Sequence, residues 1–356
     1  MANVEGGAAR LTVGAVLRNA ASGADVGTVA SAFDSVRLPA GLVHALRLEP
    51  LPERRDPSVA VPDGDLVVLA GPGVVESANI HGLRTFAASA NVPVANTWGA
   101  KGVLRWDSPH HMGTCGLQVR DFELLGFAGY DAIVATGIEP AESPPDRFAL
   151  APVVEVPASE LDRLAQYVEP TRGEIRPNDL YARLSKVAQP AYTDERVPLH
   201  PARAVADLRS ALPSGGIVTA DPGIAGVWVA RTFPTTEPGT VVVPAIAKRG
   251  IAAVLALTAA LHGVPTIAVT IEPMDPSTLG VLKLATELGA ALVVDVWGSG
   301  GPVRRAADHV AQLQAAASEP GVTIVDVPVD LSLTRKLVDA AGPVVAWGGL
   351  PVKHAL

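Results

Sequence analysis

Short apolar runs, many of them β-branched, alternate along this chain with longer segments that carry apolar residues at helical spacing. In the first half, Leu83, Phe86 and Ala87 fall on one face of a helix predicted over residues 77–90. The runs that predict buried strands in this half are residues 65–71, 92–96, 130–137 and 152–156. Strands separated by helices in this way are typical of a parallel sheet covered on both faces.

The second half repeats the alternation. Its predicted strands are residues 217–220, 240–243, 266–271, 291–296 and 322–327. Its predicted helices are residues 223–232, 250–262, 276–288 and 303–317. The pattern therefore predicts an α/β protein with two Rossmann-like three-layer domains and mainly parallel sheets.

Composition shifts suggest where the domains begin and end. Residues 1–60 are Ala/Gly-rich with mixed patterning and are interpreted as an N-terminal extension or remnant. A first α/β domain is predicted over residues 61–165 and a second over residues 202–356. Residues 166–201 are rich in proline and charge, which predicts a linker with a short helix.

Residues 250–271 are apolar except for His262 and are long enough to cross a bilayer. However, Gly263-Val-Pro265 interrupts them and a β-branched run follows, so a buried helix, a tight turn and a buried strand are the better prediction.

Charge and cysteine content exclude several function classes. The net charge is −8 with no block of Lys or Arg, which argues against nucleic acid or an anionic membrane as a partner. Cys115 is the one cysteine, so no internal disulfide can form. The first residues show no signal-peptide pattern, and we expect a cytoplasmic protein.

An ordered set of segments in the first half resembles a known family. The segments are Leu69-Ala-Gly-Pro-Gly-Val-Val-Glu-Ser77, Val92-Pro-Val94, Gly99-Ala-Lys-Gly102 and Asp131-Ala-Ile-Val-Ala-Thr-Gly137. Together they resemble the central domain of the acetolactate synthase/pyruvate decarboxylase family, which uses thiamine diphosphate. In the second half, Ile217-Val-Thr-Ala-Asp221 followed by Gly223, and the helix opening at Gly250, resemble the diphosphate-binding domain of the same enzymes.

The resemblance implies cofactor-binding positions at Asp221, Gly223, Lys248, Arg249, Gly250, Gly298 and Ser299. Lys248 and Arg249 could bind an anion at the N-terminus of the helix that Gly250 opens, or belong to a solvated loop. Gly298 and Ser299 stand in a Gly-rich loop between a strand and a helix, where an ordinary turn is the alternative.

The same residues depart from the family pattern. Glu272 stands where relatives carry a metal-binding Asp, and Ile271 and Pro273 replace the flanking glycines. Proline also removes an N–H that a phosphate would use. The amide pair that completes the Mg²⁺ site becomes Gly298 and Ser299, although Mg²⁺ requires oxygen ligands in octahedral geometry. The family's pyrimidine-binding domain has no counterpart in this sequence.

Glu272 and Asp275 are the candidates for catalysis, and Glu272 is also a candidate metal ligand. Polar loop residues at a strand end are the alternative. In relatives that hold FAD, an arginine follows the strand ending at Gly137. Glu139 takes that place in Gly137-Ile-Glu-Pro140, so FAD is disfavoured.

The leading hypothesis is a divergent acetolactate synthase-like protein that has lost the usual thiamine diphosphate and Mg²⁺ site. It would act as a non-catalytic subunit or with altered chemistry in the old cleft, and no cofactor is expected. One alternative is an active thiamine-diphosphate lyase or transferase subunit completed by a separate pyrimidine-domain chain. A second is a nucleotide or small-molecule binding module. A homo-oligomer (dimer or tetramer), or a hetero-oligomer with a pyrimidine-domain subunit, is expected.

Overall fold

The computed structural model describes residues 11–21, 24–49, 59–171, 174–175 and 177–348. The chain folds into two five-stranded sheets whose strand pairs are all parallel, each flanked by helices. This confirms the predicted α/β fold class.

The N-terminal segment forms three short helices, α1 (Val13–Ala20), α2 (Gly27–Ala32) and α3 (Ala40–Ala45). Its apolar residues share one core with helices of the second domain, and α3 also contacts the first domain. Arg37 from this segment pairs with Glu76 and, at 2.8 Å, with Glu139. The described part of residues 1–60 therefore packs on both domains.

The first sheet runs in the order β3-β2-β1-β4-β5. Its strands are β1 (Leu66–Ala70), β2 (Val94–Thr97), β3 (His111–Cys115), β4 (Ala132–Thr136) and β5 (Val153–Glu155). Its helices are α4 (Gly73–Glu76), α5 (Ile80–Ala90), α6 (Asp121–Leu124), α7 (Pro145–Phe148) and α8 (Leu161–Leu164). Strand β3 was not among the predicted strands, and the predicted helix 77–90 begins only at Ile80, because Ala78 has a positive φ of 57°.

Between the sheets, residues 166–201 contain α9 (Asp179–Ala188), which packs against β3 and against the helix formed by Thr334–Ala341. The predicted short helix of this stretch is therefore present. It lies in the junction of the two domains.

The second sheet runs in the order β10-β9-β8-β6-β7. Its strands are β6 (Ile217–Ala220), β7 (Val241–Val242), β8 (Thr266–Ile271), β9 (Leu292–Gly298) and β10 (Val322–Pro328). Its helices are α10 (Pro201–Ala211), α11 (Ile224–Thr232), α12 (Ile251–Leu261), α13 (Pro276–Glu287), α14 (Ala306–Ser318) and α15 (Thr334–Ala341).

The apolar stretch 250–271 forms α12, a turn and β8. Residues 251–259 of α12 are all buried, because the helix lies between the sheet on one side and α1 and α13 on the other. Across the described ranges, we find no helix with the length and hydropathy needed to span a membrane.

Each sheet has one point where strand order reverses, between β1 and β4 in the first and between β6 and β8 in the second. Open parallel sheets bind ligands in the crevice outside the carboxyl ends of the strands at such a point. In the first sheet the two chain segments that follow β1 and β4 contact each other at this point, where Gly73 N–H donates to the carbonyl of Gly137 at 2.9 Å. In the second sheet, the residues that follow β6 and β8 line a cavity at the corresponding point.

Candidate functional site

A cavity of about 430 Å³ opens at the carboxyl ends of β6 and β8, where the second sheet reverses its strand order. Its lining residues are Asp221, Pro222, Gly223, Ile224, Arg249, Thr270, Ile271, Glu272, Pro273 and Asp275. The structure thus gathers five of the predicted site residues around one cavity. They meet there because the residues after neighbouring parallel strands emerge at the same sheet edge.

Two glycines allow helices to begin at the rim of this cavity. Gly223 precedes α11 with φ 110°, and Gly250 precedes α12 with φ 71°. Backbone with such positive φ strongly favours glycine. A Cβ on Gly250 would also lie 2.8 Å from Cβ of Ser277, so α12 and α13 approach closely at their N-termini.

Asp221 follows β6 directly, and both of its carboxylate oxygens accept hydrogen bonds from other residues of the protein. Oδ1 accepts a hydrogen bond from the backbone N–H of Ala252 at 2.9 Å, and Oδ2 accepts one from the hydroxyl of Thr270 at 2.7 Å. Burial raises the pKa of Asp221, while hydrogen bonds from Ala252, Thr270 and Gly250 act against that rise. The side chain therefore occupies the N-terminal donors of α12, which would otherwise be available to an external anion.

The N-terminus of α13 has an internal carboxylate as well. Asp275 accepts a hydrogen bond from the backbone N–H of Ser277 at 2.9 Å, and Pro276 fills the first helical position. This is N-cap geometry, in which a side-chain oxygen satisfies a helix donor and a proline costs no hydrogen bond.

Glu272 lies against the loop that follows β9. Its Oε2 accepts a hydrogen bond from the backbone N–H of Ser299 at 3.1 Å. A Cβ on Gly298 would be 2.2 Å from the same oxygen, so the glycine leaves room for the carboxylate. The structure therefore brings Glu272, Gly298 and Ser299 together.

The two cations of the loop before α12 have different surroundings. The Lys248 ammonium donates to the backbone carbonyl of Ala32 and lies 4.4 Å from the ring centre of Phe33, a cation–π contact with the N-terminal segment. Arg249 is exposed and lines the cavity. Only Arg249 is therefore placed to meet a ligand there.

The lining side chains carry more negative than positive charge. Asp221, Glu272 and Asp275 face one Arg249. Within the part of the chain that the structure describes, no group of three or more His, Cys, Asp or Glu side chains is arranged to hold a metal ion. The cavity as built suits hydrogen-bond donors or a cation better than a polyanion.

A buried polar network elsewhere in the second domain has no signature in the sequence. His309 of α14 hydrogen-bonds through Nδ1 to Asp207 of α10 at 3.0 Å and through Nε2 to Asp295 of β9 at 3.2 Å. Burial lowers the pKa of His309, but the Asp295 charge and the hydrogen bonds to both carboxylates outweigh it and raise the pKa to about 9. Asp207 also accepts from Arg203, and Asp295 from the Trp297 indole.

Comparisons with known proteins bear on the family of the first domain and on the fold. Residues 65–160 match the family model described as thiamine pyrophosphate enzyme, central domain. No curated protein sequence matches the chain. The family match confirms, for this segment, the resemblance predicted from the sequence.

Two solved structures share the fold over both domains. One is a candidate thiamin diphosphate-dependent enzyme isolated from Mycobacterium smegmatis, with a TM-score of 0.58 at 17% identity over 74% of this chain. The other is the thiamine diphosphate-dependent 4-hydroxybenzoylformate decarboxylase of Rhodococcus jostii RHA1, with a TM-score of 0.59 at 16% identity over 74% of this chain. The match covers 61% of each of those chains.

Proposed function

We propose that the second domain of this protein does not hold thiamine diphosphate through a Mg²⁺-bound diphosphate. The first domain, over residues 65–160, matches the central domain of thiamine pyrophosphate enzymes. The protein is then a non-catalytic member of a family of enzymes, acting as a subunit of a larger assembly. The observation that carries the proposal is the Asp221 carboxylate on the N-terminal donors of α12.

The residues of the cavity do not fit the diphosphate. A diphosphate would have to displace Asp221 from Ala252 N–H and would lie beside the carboxylates of Glu272 and Asp275. Pro273 offers no N–H donor, and α13 is already capped by Asp275. Repulsion between like charges and the loss of internal hydrogen bonds both oppose binding.

One observation favours a second candidate, an active thiamine-diphosphate subunit. Glu272 reaches the Gly298–Ser299 loop at hydrogen-bond distance, so the two halves of the family's metal site still meet. In that case Glu272 would hold Mg²⁺ together with oxygens of this loop, and its removal would abolish binding of the cofactor.

Isothermal titration with thiamine diphosphate and Mg²⁺ separates the two candidates. We expect no saturable heat and an unchanged thermal midpoint for the wild type. Micromolar binding that Glu272→Ala abolishes and Glu287→Ala preserves would overturn the proposal; Glu287 is an exposed acid on α13 and serves as the matched control. A bound ligand raises the midpoint by mass action, so thermal unfolding detects binding even where the heat of binding is small.

Assembly is the second part of the proposal. A non-catalytic subunit must associate with another copy of itself or with a pyrimidine-domain subunit, in the cytoplasm. Sedimentation of the purified chain would report a mass above one chain for a homo-oligomer. If the purified chain is strictly monomeric, the proposal requires a different partner subunit, and co-purification tests for one.

A further inference from the structure

A second cavity, of about 260 Å³, lies at the junction of the two domains and shares no lining residue with the one beside Asp221. It is bounded by β3 on one side, by α9 on another, and by the end of α11 with the loop that follows. Polar lining residues include Lys101, His111, Thr114 and Arg231. Both domains and α9 therefore line a space large enough for a small molecule.

Lys101 is the central charged group. Lys101 is only 7% exposed, and its Nζ lies 3.4 Å from the hydroxyl of Thr114. No ion pair of Lys101 with an acidic side chain is found in the described ranges of the chain. Burial, with Arg231 as a smaller contribution, lowers the pKa of Lys101 to about 7. A buried amine without a counter-ion is costly, and a bound anion would remove that cost.

Arg231, in contrast to Lys101, already has an acidic partner within the protein. Its guanidinium is paired with Asp121 at 2.5 Å and donates to the carbonyl of Thr114. The pair Arg231–Asp121 has no net charge, so the charge left beside the cavity is that of Lys101 in its protonated form, which a bound anion would favour. One negative charge on a ligand would balance it.

Most of the other lining residues are apolar or aromatic, and Ser185, Gln189 and Thr232 add uncharged polar groups. No Asp or Glu belongs to it within the described chain, and the walls include Trp106, Tyr181, Tyr192 and Phe233. His111 stays uncharged in neutral solution, because burial first and Lys101 second lower its pKa to about 4. A ligand with a ring or branched carbon body would therefore bury its apolar surface here.

We propose that this interdomain cavity binds a small aromatic monocarboxylate, with its carboxylate on the Lys101 ammonium and Thr114 hydroxyl and its ring between Tyr181, Tyr192 and Phe233. A single carboxylate matches the one uncompensated cation, and a ring matches the walls. The site lies apart from the cavity discussed above, so this inference does not depend on the fate of the diphosphate site.

Titration calorimetry of the wild-type protein tests the charge requirement directly. The ligands are benzoate, phenylacetate and 4-hydroxybenzoate, with benzamide as the neutral analogue and inorganic phosphate as the anion without a ring. We expect saturable binding of at least one carboxylate and at least tenfold weaker binding of benzamide and of phosphate. The proposal fails if none of the three carboxylates binds, or if benzamide binds as well as benzoate.

A matched pair of variants locates the site. Lys101→Met removes the buried ammonium, and Lys186→Met removes an exposed one on α9 outside the lining. We expect the first to weaken carboxylate binding at least tenfold and the second to leave it unchanged. Equal binding by both variants would place the ligand elsewhere and overturn the proposal. If Lys101→Met does not fold, Tyr181→Ala on the half-exposed wall replaces it, with the same expected direction.

Discussion

Arg231 of α11 and Asp121 of α6 form an ion pair across the boundary between the two sheet domains, and neither side chain has exposed surface. Asp121 also accepts hydrogen bonds from the backbone N–H groups of Leu117 and Gln118, at 2.9 and 3.0 Å. Arg231 in turn donates to Gln118 and Thr114. Each charge is therefore satisfied on several sides, which is the condition under which a buried pair is stable.

Removing one partner should be severe. Arg231→Met leaves the carboxylate of Asp121 buried without its cation, and we expect the free energy of unfolding to fall by about 3–5 kcal/mol. Urea unfolding followed by tryptophan fluorescence measures the change. The control is Lys283→Ala, which breaks an exposed pair with Glu287 and should cost no more than about 0.5 kcal/mol. Equal losses in the two variants would show that burial of the pair is unimportant.

The stability of the second domain should fall at alkaline pH through His309. Its pKa is raised to about 9 between Asp207 and Asp295, with Arg203 on the far side of Asp207. A group with a raised pKa stabilises the folded state fully below its unfolded pKa, near 6.5, and loses that effect as pH rises through 9. At about 1.4 kcal/mol per pKa unit, the loss is roughly 3 kcal/mol.

His309→Gln should remove this pH dependence. Unfolding by urea at intervals from pH 6 to pH 10 would show a downward slope in the wild type between the two pKa values, and a flatter profile in the variant. The same slope in both proteins would mean that another group titrates in this window.

A close contact of the two strand ends in the first domain should be intolerant of a methyl group. A Cβ on Gly137, at φ 59°, would lie 2.5 Å from the backbone nitrogen of Val74. We expect Gly137→Ala to cost about 3 kcal/mol, from backbone strain and overpacking together. Gly215, at φ 74° with nothing within 4 Å of its Cβ position, isolates the strain alone. Gly215→Ala should cost about 1 kcal/mol, and thermal unfolding compares the two.

Removing the Asp221 carboxylate should expose the N-terminus of α12 to anions. Asp221→Ala deletes the acceptor of Ala252 N–H, and we expect a loss of about 1–2 kcal/mol in the free energy of unfolding. Added sulfate should then raise the thermal midpoint of the variant more than that of the wild type. Asp308→Ala, at the start of α14, serves as the control cap away from the cavity. A sulfate response equal in all three proteins would contradict this role of Asp221.

The parts of the fold that could be predicted from the sequence are those with continuous apolar runs. Strands β1, β4 and β8 are buried along nearly their whole length, so their sequences are continuous apolar runs that predict buried strands. Strand β3 does not, because His111-Met-Gly-Thr-Cys115 is short, partly polar and broken by a glycine. The three N-terminal helices have too few residues each to show a period.

The candidate site could be located but not described in advance. The position of Asp221, Glu272 and Asp275 after parallel strands predicts that they meet. Which backbone donor each carboxylate accepts from depends on side-chain geometry that no spacing encodes. Likewise, Arg231 and Asp121 lie 110 positions apart, and only the docking of the domains pairs them.

The Asp221 carboxylate has a consequence for how the protein matures in a cell. A domain whose helix N-termini bind a phosphate compound gains stability only when that compound is bound. Its abundance in a cell therefore depends on the supply of the compound. Here the anion is part of the polypeptide and arrives with every copy that folds. On our proposal, the protein should accumulate to the same level in thiamine-starved cells as in replete ones.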